Sequence, residues 1–221
     1  QGATPETRTL DAQFTYEGWS PANYNDQYVG EVTLRQGLAY SLNTVAGRLA
    51  IEVGPEAVLR TAYRMGISSP MIAVPSIALG TQEVSLLELT AAYAPFANGG
   101  YGVIAHVITR IENADGEVLY QNIPAGPGQV VEPQHVAMMN DMLSAAIEMG
   151  TASRAAGPGW PIAGKTGTTQ NNRDAIFVGF TAHLVTGVWL GNDNGDPMEG
   201  VGGGNYPTES WSNYMQRAHA G

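Results

Sequence analysis

Residues 163 to 169 read AGKTGTT, and Lys165 is the one lysine in a chain of 221 residues that holds nine arginines. With Gly164 before it and Gly167 two positions after, this lysine sits where another backbone or a ligand can come close. On a strand the side chains alternate, so Thr166 and Thr168 share one face and Lys165 takes the other. Two neighbouring hydroxyls can bind a carboxylate. The competing reading makes the threonines simple strand formers and Lys165 a solvated edge residue that discourages edge pairing.

Other residues able to do chemistry point to ordinary structure. His106, His135, His183 and His219 have no close partner at metal-ligand spacing and are expected on the surface or in a hairpin. Asp193, Asn194 and Asp196 in GNDNGDPMEG look faintly like a calcium loop, but the glycine and the final glutamate stand at the wrong offsets, which favours a turn. Gly202-Gly203-Gly204 lacks the Lys-Ser/Thr that a phosphate loop needs. Glu6, Glu17 and the other carboxylates show no glycosidase-like pairing. Neither a metal nor a cofactor is expected.

The elements that must position Lys165 follow from local signals. Residues 1 to 31 are polar and rich in Pro, Gly, Asn and Tyr, an irregular lead-in with a short strand expected at Phe14 to Tyr16. Thr33-Leu34-Arg35-Gln36 is a capping box that opens a helix. That helix should break near Ser41-Leu42-Asn43, whose polar side chains compete for backbone hydrogen bonds, and resume from Val45 to Glu52. Pro55 opens another helix that stops at Gly66. Ser85-Leu86-Leu87-Glu88 is a second capping box, its helix ending at Asn98-Gly99-Gly100 with Pro95 as a kink or early stop.

HVITRIE and EVLYQ flank Asn113-Ala114-Asp115-Gly116, a hairpin signal. Pro133 starts a helix with an apolar stripe of Val136, Met139, Leu143 and Ile147, and its Met-rich face reads as core. After the Gly/Pro-rich loop AAGPGWP, strands are expected near 162–168, 175–181 and 184–190, followed by a closing helix from Thr208 to His219 with Trp211 on its inner face. Helices first, then an antiparallel sheet packed by helices, is an α+β arrangement.

Composition narrows the function classes. The formal charge of −10 comes without a basic stripe, which argues against nucleic acid and anionic membrane surfaces. No stretch approaches the roughly eighteen apolar residues of a membrane span. There is no cysteine, hence no disulfide, thiol catalysis or thiolate metal site.

AGKTGTT followed by RDAIFVGF and LVTGVWLGND closely resembles the C-terminal part of the transpeptidase domain of class A (bifunctional) penicillin-binding proteins. VTLRQGLAYSLNTVAGRLA resembles the Ser-x-Asn region of that family, and EGWSPANYND, LGTQEVSLLELTAAYAPFANGG and GTASRA match it as well. The likeness covers nearly the whole chain in the right order. It implies the penicillin-binding and serine β-lactamase-like transpeptidase fold, and peptidoglycan DD-transpeptidation with β-lactams as inhibitors.

Carried over residue by residue, Ser41 is similar to the middle-motif serine that relays a proton to or from the leaving amine. Asn43 is similar to the asparagine that hydrogen-bonds a substrate amide and positions the catalytic lysine. Lys165 resembles the third-motif lysine, a positive charge beside Ser41 that attracts the terminal carboxylate. Thr166, Gly167 and Thr168 form the substrate-binding segment; the threonines would bind that carboxylate and the Thr168 amide would be half of an oxyanion hole, where a donor contributes roughly 3 to 4 kcal/mol. Arginine would serve poorly at 165, because a guanidinium holds its proton and needs a wider slot.

One departure stands out. The family's nucleophile is the serine of Ser-x-x-Lys, and three residues before Lys165 stands Ile162. In the family that motif begins the central buried helix, upstream of FTYEGWSPANYND, so residues 1–221 are expected to be a partial transpeptidase domain without the nucleophile helix and first strands. A designed fragment, a proteolytic product or a degenerate relative would each account for this. The chain alone should form no acyl-enzyme, and the apolar faces left open invite dimerisation or strand exchange. The resemblance further implies an extracytoplasmic, periplasmic location, with a membrane anchor and a glycosyltransferase domain upstream. The alternatives are a non-catalytic module that binds a stem peptide or partner, and a serine β-lactamase relative.

Overall fold

In the computed structural model, residues 2–123, 125–155 and 159–220 are described. The chain opens with two short antiparallel strands, β1 (Arg8–Asp11) and β2 (Gly30–Thr33), in a register that sets Asp11 opposite Gly30. The strand expected at Phe14 to Tyr16 is not one: Tyr16 makes only an isolated bridge to Trp19. The aromatic rings there pack instead, Phe14 edge-on to Trp19 and beneath the Arg48 guanidinium. Side-chain stacking has displaced ladder pairing.

Thr33 caps α1 (Leu34–Ala39), accepting from the Gln36 amide while the Gln36 side chain accepts from the Thr33 amide. The expected break then occurs, and α2 (Asn43–Val53) and α3 (Pro55–Arg64) follow, the latter with proline in its first turn. The second capping box is likewise reciprocal and opens α4 (Leu86–Ala97). Pro95 does not stop this helix early, because it lies in the last turn, near the point where helical bonding ends anyway. The hairpin of β3 (Arg110–Glu112) and β4 (Val118–Gln121) is shorter than its β-rich flanks suggest and shifts register between Ile111 and Glu112.

Next come α5 (Pro133–Glu148), β5 (Ala163–Thr168), β6 (Asp174–Phe180), β7 (Val185–Gly191) and α6 (Tyr206–Ala218). Of the AAGPGWP loop, residues 156–158 lie outside the described residues. The three strands form one antiparallel sheet in the order β5-β6-β7. On one face Phe177 meets Trp211 of α6 edge to face, in a cluster with Ile147 of α5 and Met215 of α6. On the other face Phe180 packs with Tyr93 and Phe96 of α4, Leu143 of α5 and Leu38 of α1. Alternation along β6 explains the division, since Phe177 and Phe180 differ by an odd number of positions.

The second cluster includes Ala163, the first residue of β5. It therefore joins the end of α1 to the strand that carries Lys165.

Candidate active site

Ser41 follows α1 in a strained turn. The Leu42 amide donates to the Gly37 carbonyl and the Ser41 amide to the Leu38 carbonyl, the two bonds of a Schellman motif. Such a motif wants glycine at the position Ser41 holds, where φ is +57°. A serine there costs about 1–2 kcal/mol of backbone strain, and the residue is exposed at the tip of the turn.

The next helix start is held from outside. Leu42 supplies no side-chain cap to α2; Asn23 Oδ1 accepts from the Thr44 amide instead, at 3.2 Å. Asp11 is fully buried and gathers three donors: Thr44 Oγ1 at 2.5 Å, Asn23 Nδ2 at 2.6 Å and the Val29 amide at 2.8 Å. A carboxylate at a helix N-terminus also meets the positive end of its dipole. Asn43 Nδ2 donates to the Ala22 carbonyl at 2.7 Å, so its Oδ1 stays available as an acceptor. The polar lead-in is a brace for the Ser41–Asn43 turn.

Lys165 lies on β5 and its Nζ donates to Ser41 Oγ at 2.9 Å and to the Thr166 carbonyl at 3.1 Å. Burial pushes its pKa down from 10.5 to about 8. This is not a solvated edge lysine. A half-neutral amine near pH 8, in contact with a hydroxyl, can exchange a proton with it.

The backbone of β5 presents polar groups away from the sheet. The Thr169 amide donates to the Asp174 carbonyl, and antiparallel bonding alternates from there. The N–H and C=O of Thr168 and Thr166 therefore point outward along the β5 edge. The Thr166 carbonyl uses that direction to meet Lys165, and the Thr168 amide faces the same way.

The two threonine hydroxyls have separate supports. Thr168 Oγ1 accepts from the Gly203 amide at 2.9 Å. Thr166 Oγ1 shares a 2.6 Å hydrogen bond with Thr151 Oγ1. The glycine run is thus structural: a Cβ on Gly203 would stand 2.5 Å from the carbonyl oxygens of Gly167 and Ile176. Gly167 itself is exposed on the strand.

Sequence reasoning names Ser41, Asn43, Lys165, Thr166, Gly167 and Thr168, and the fold brings the Ser41 turn and the β5 segment together. Asn43 and Lys165 do not hydrogen-bond each other among the described residues. Asp11, Asn23, Thr151 and Gly203 escaped it. Of these, Asn23 and Thr151 stood inside the matched segments EGWSPANYND and GTASRA and Gly203 in the glycine run, while Asp11 carried no signal.

The remaining candidates behave as structure. Asn194 and Asp196 bond each other across an ordinary turn closed by Gly195 at φ +70°. His219 is half-buried rather than surface material, with Nε2 on Thr181 Oγ1 and Nδ1 on the Met215 carbonyl.

Comparison with known proteins identifies the family and the fold. A model of the penicillin-binding protein transpeptidase domain matches residues 1–186. Penicillin-binding protein 1A of Neisseria meningitidis serogroup A is 38% identical over 235 aligned residues, which span 100% of this chain and 29% of that protein. The Aquifex aeolicus protein of the same name is 41% identical over 201 residues, 90% of this chain and 27% of its own length. The chain thus spans less than a third of these relatives. Among solved structures, penicillin-binding protein 1A of Haemophilus influenzae superposes with a TM-score of 0.90 at 26% identity, over 99% of this chain and 40% of that one. PonA1 of Mycobacterium tuberculosis, in complex with penicillin V, gives 0.87 at 26% identity, over 100% and 65%. The chain belongs to the penicillin-binding protein transpeptidase domain family.

Proposed function

We propose that this chain supplies the proton-relay and carboxylate-holding parts of a serine-type peptidoglycan DD-transpeptidase, with the nucleophilic serine lying in a segment outside residues 1–221. The observation that carries the reading is the hydrogen bond from Lys165 Nζ to Ser41 Oγ, made across 124 positions of sequence. In the intact protein a D-alanyl-D-alanine stem peptide acylates that serine, and the acyl group passes to a neighbouring amine. Ser41 gives its hydroxyl proton to the leaving amine, and Lys165 replaces it from its ammonium. The net transfer runs from the Lys165 ammonium to the leaving amine, and a lysine with a pKa near 8 gives up its proton more readily than an ordinary one. The outward Thr168 amide stabilises the oxyanion, Asn43 Oδ1 accepts from a substrate amide, and Thr166 and Thr168 hold the terminal carboxylate.

The same reading places the parent protein in a bacterial envelope, on the periplasmic side, anchored to the membrane and carrying a glycosyltransferase domain upstream. Among the described residues no helix is long and apolar enough to cross a membrane. The isolated chain is expected to self-associate, with Trp189 exposed on the outer strand β7, and sedimentation velocity reads this directly.

The test is labelling with fluorescent penicillin. The full-length protein should be labelled and this chain alone should not; an adduct on this chain, detected by mass spectrometry, would refute the assignment of the nucleophile. Because the chain holds no Ser-x-x-Lys, a non-catalytic binding module is the second reading. It is the one to adopt if the full-length protein takes no label. Rapid release of bound penicillin would instead indicate a β-lactamase relative.

A further inference from the structure

Gly150 and Thr151 follow α5 and wedge between the two halves of the site. The Thr151 amide donates to the carbonyl of Ala39, two residues before Ser41, at 3.1 Å. A Cβ on Gly150 would stand 2.1 Å from that same carbonyl oxygen, and one on Gly204 would stand 2.5 Å from the Thr151 carbonyl oxygen. The backbone of Thr151 is therefore fixed on both sides, and its hydroxyl is delivered to Thr166 Oγ1 at 2.6 Å.

One hydrogen bond between two hydroxyls consumes one proton and leaves the other free. If Thr166 gave its proton to Thr151, only lone pairs would face an approaching carboxylate, and two sets of lone pairs repel. If Thr151 is the donor, Thr166 keeps its proton for the ligand. Thr168 shows the same arrangement without ambiguity, since its oxygen accepts from the Gly203 amide, which can only donate. That leaves the Thr168 proton free as well.

We infer that Thr151 is a positioning residue: its hydroxyl donates to Thr166 and so orients the Thr166 hydroxyl as a donor to the substrate's carboxylate. The inference rests on the transpeptidase reading for the identity of the ligand, while the direction of the hydrogen bond can be measured without that ligand. Both threonines of the strand are then primed by inward donors, one from the turn after α5 and one from the glycine turn before α6.

The experiment compares acylation of the full-length protein by benzylpenicillin with acylation by its methyl ester. A charge-assisted hydrogen bond lost at the carboxylate corresponds to about a tenfold change in rate constant. Thr151→Val should lower the penicillin-to-ester ratio by about tenfold while the ester rate stays within about twofold, and Thr151→Ser should restore the ratio. An unchanged ratio, or an equal fall for both compounds, overturns the inference.

A second readout needs no variant. In proton-exchange NMR of this chain, the Thr151 hydroxyl proton should exchange slowly and the Thr166 proton fast; the opposite order also overturns it. A wild-type protein that ignores both compounds defeats the transpeptidase reading alone, because the exchange measurement still decides the proton's direction.

Discussion

The turn at Ser41 and the hairpin region 103–123 are both irregular surface segments, but they are held in opposite ways. The turn is fixed by the Schellman bonds of α1, by Asp11 and Asn23 at the start of α2, and by the Thr151 amide on Ala39. In the hairpin every residue of β3 and β4 is exposed, and Val107 and Ile123 keep 89% and 80% of their surface. Local bonding holds its turn together, with Asn113 Oδ1 accepting from the Asp115 and Glu117 amides. Contacts distant in sequence converge on the turn where the Ser41 hydroxyl meets the Lys165 amine. The hairpin is left to local bonding.

The sharpest break of that contrast is at Lys165. Lys165→Ala in the full-length protein should lower the rate constant for penicillin acylation by roughly 10²–10⁴. Lys165→Arg should do the same, since a guanidinium cannot give up its proton. The circular dichroism spectrum should not change. The depressed pKa adds a signature in stability. Below about pH 8 the folded and unfolded chains both hold the proton; between about 8 and 10.5 only the unfolded chain does. Stability should therefore rise with pH across that window, and Lys165→Met should flatten the rise. A urea midpoint that falls over the same range in the wild type would contradict an amine shielded from water.

Second in size is Asp11→Ala, which leaves the Thr44 hydroxyl, the Asn23 amide group and the Val29 N–H without their acceptor in a buried site. The expected loss is about 3 kcal/mol in urea unfolding. A loss below about 1 kcal/mol would mean that the lead-in does not brace the turn.

How much of this was readable beforehand follows from the range of each signal. The capping boxes at Thr33 and Ser85 lie within four residues, and both form as the sequence predicts. The three strands of the sheet and the closing helix with Trp211 inside were legible from alternation and apolar content. The buried Asp11, Asn23 and Thr44 were not, because a brace spread over 33 positions has no period. Ser41 was placed by resemblance, and its left-handed backbone stayed hidden because the residue that usually marks such a turn is glycine. Thr151 stood inside a matched segment, yet nothing local says that its hydroxyl reaches Thr166.

Smaller still is Ser41→Gly. Removing Cβ at φ +57° relieves about 1 kcal/mol of strain, offset in part by the freedom glycine adds to the unfolded chain. Stability should hold or rise by up to about 1 kcal/mol while penicillin acylation falls with the lost hydroxyl. A clear destabilisation would show that the Lys165 contact, rather than the Schellman bonds, holds the turn.

The smallest effect tests the other side of the contrast. Val107→Ser and Ile123→Ser remove apolar groups that are already in water in the folded chain, so little burial is lost. Each should change urea stability by no more than about 0.5 kcal/mol and leave acylation of the full-length protein unaltered. The same pair of substitutions also asks whether that apolar surface is covered in the longer protein. If they destabilise the full-length protein by more than about 1 kcal/mol and leave this chain untouched, a segment outside residues 1–221 lies over the hairpin. If neither protein responds, the hairpin is held by its own turn, without the contacts from distant residues that fix Ser41.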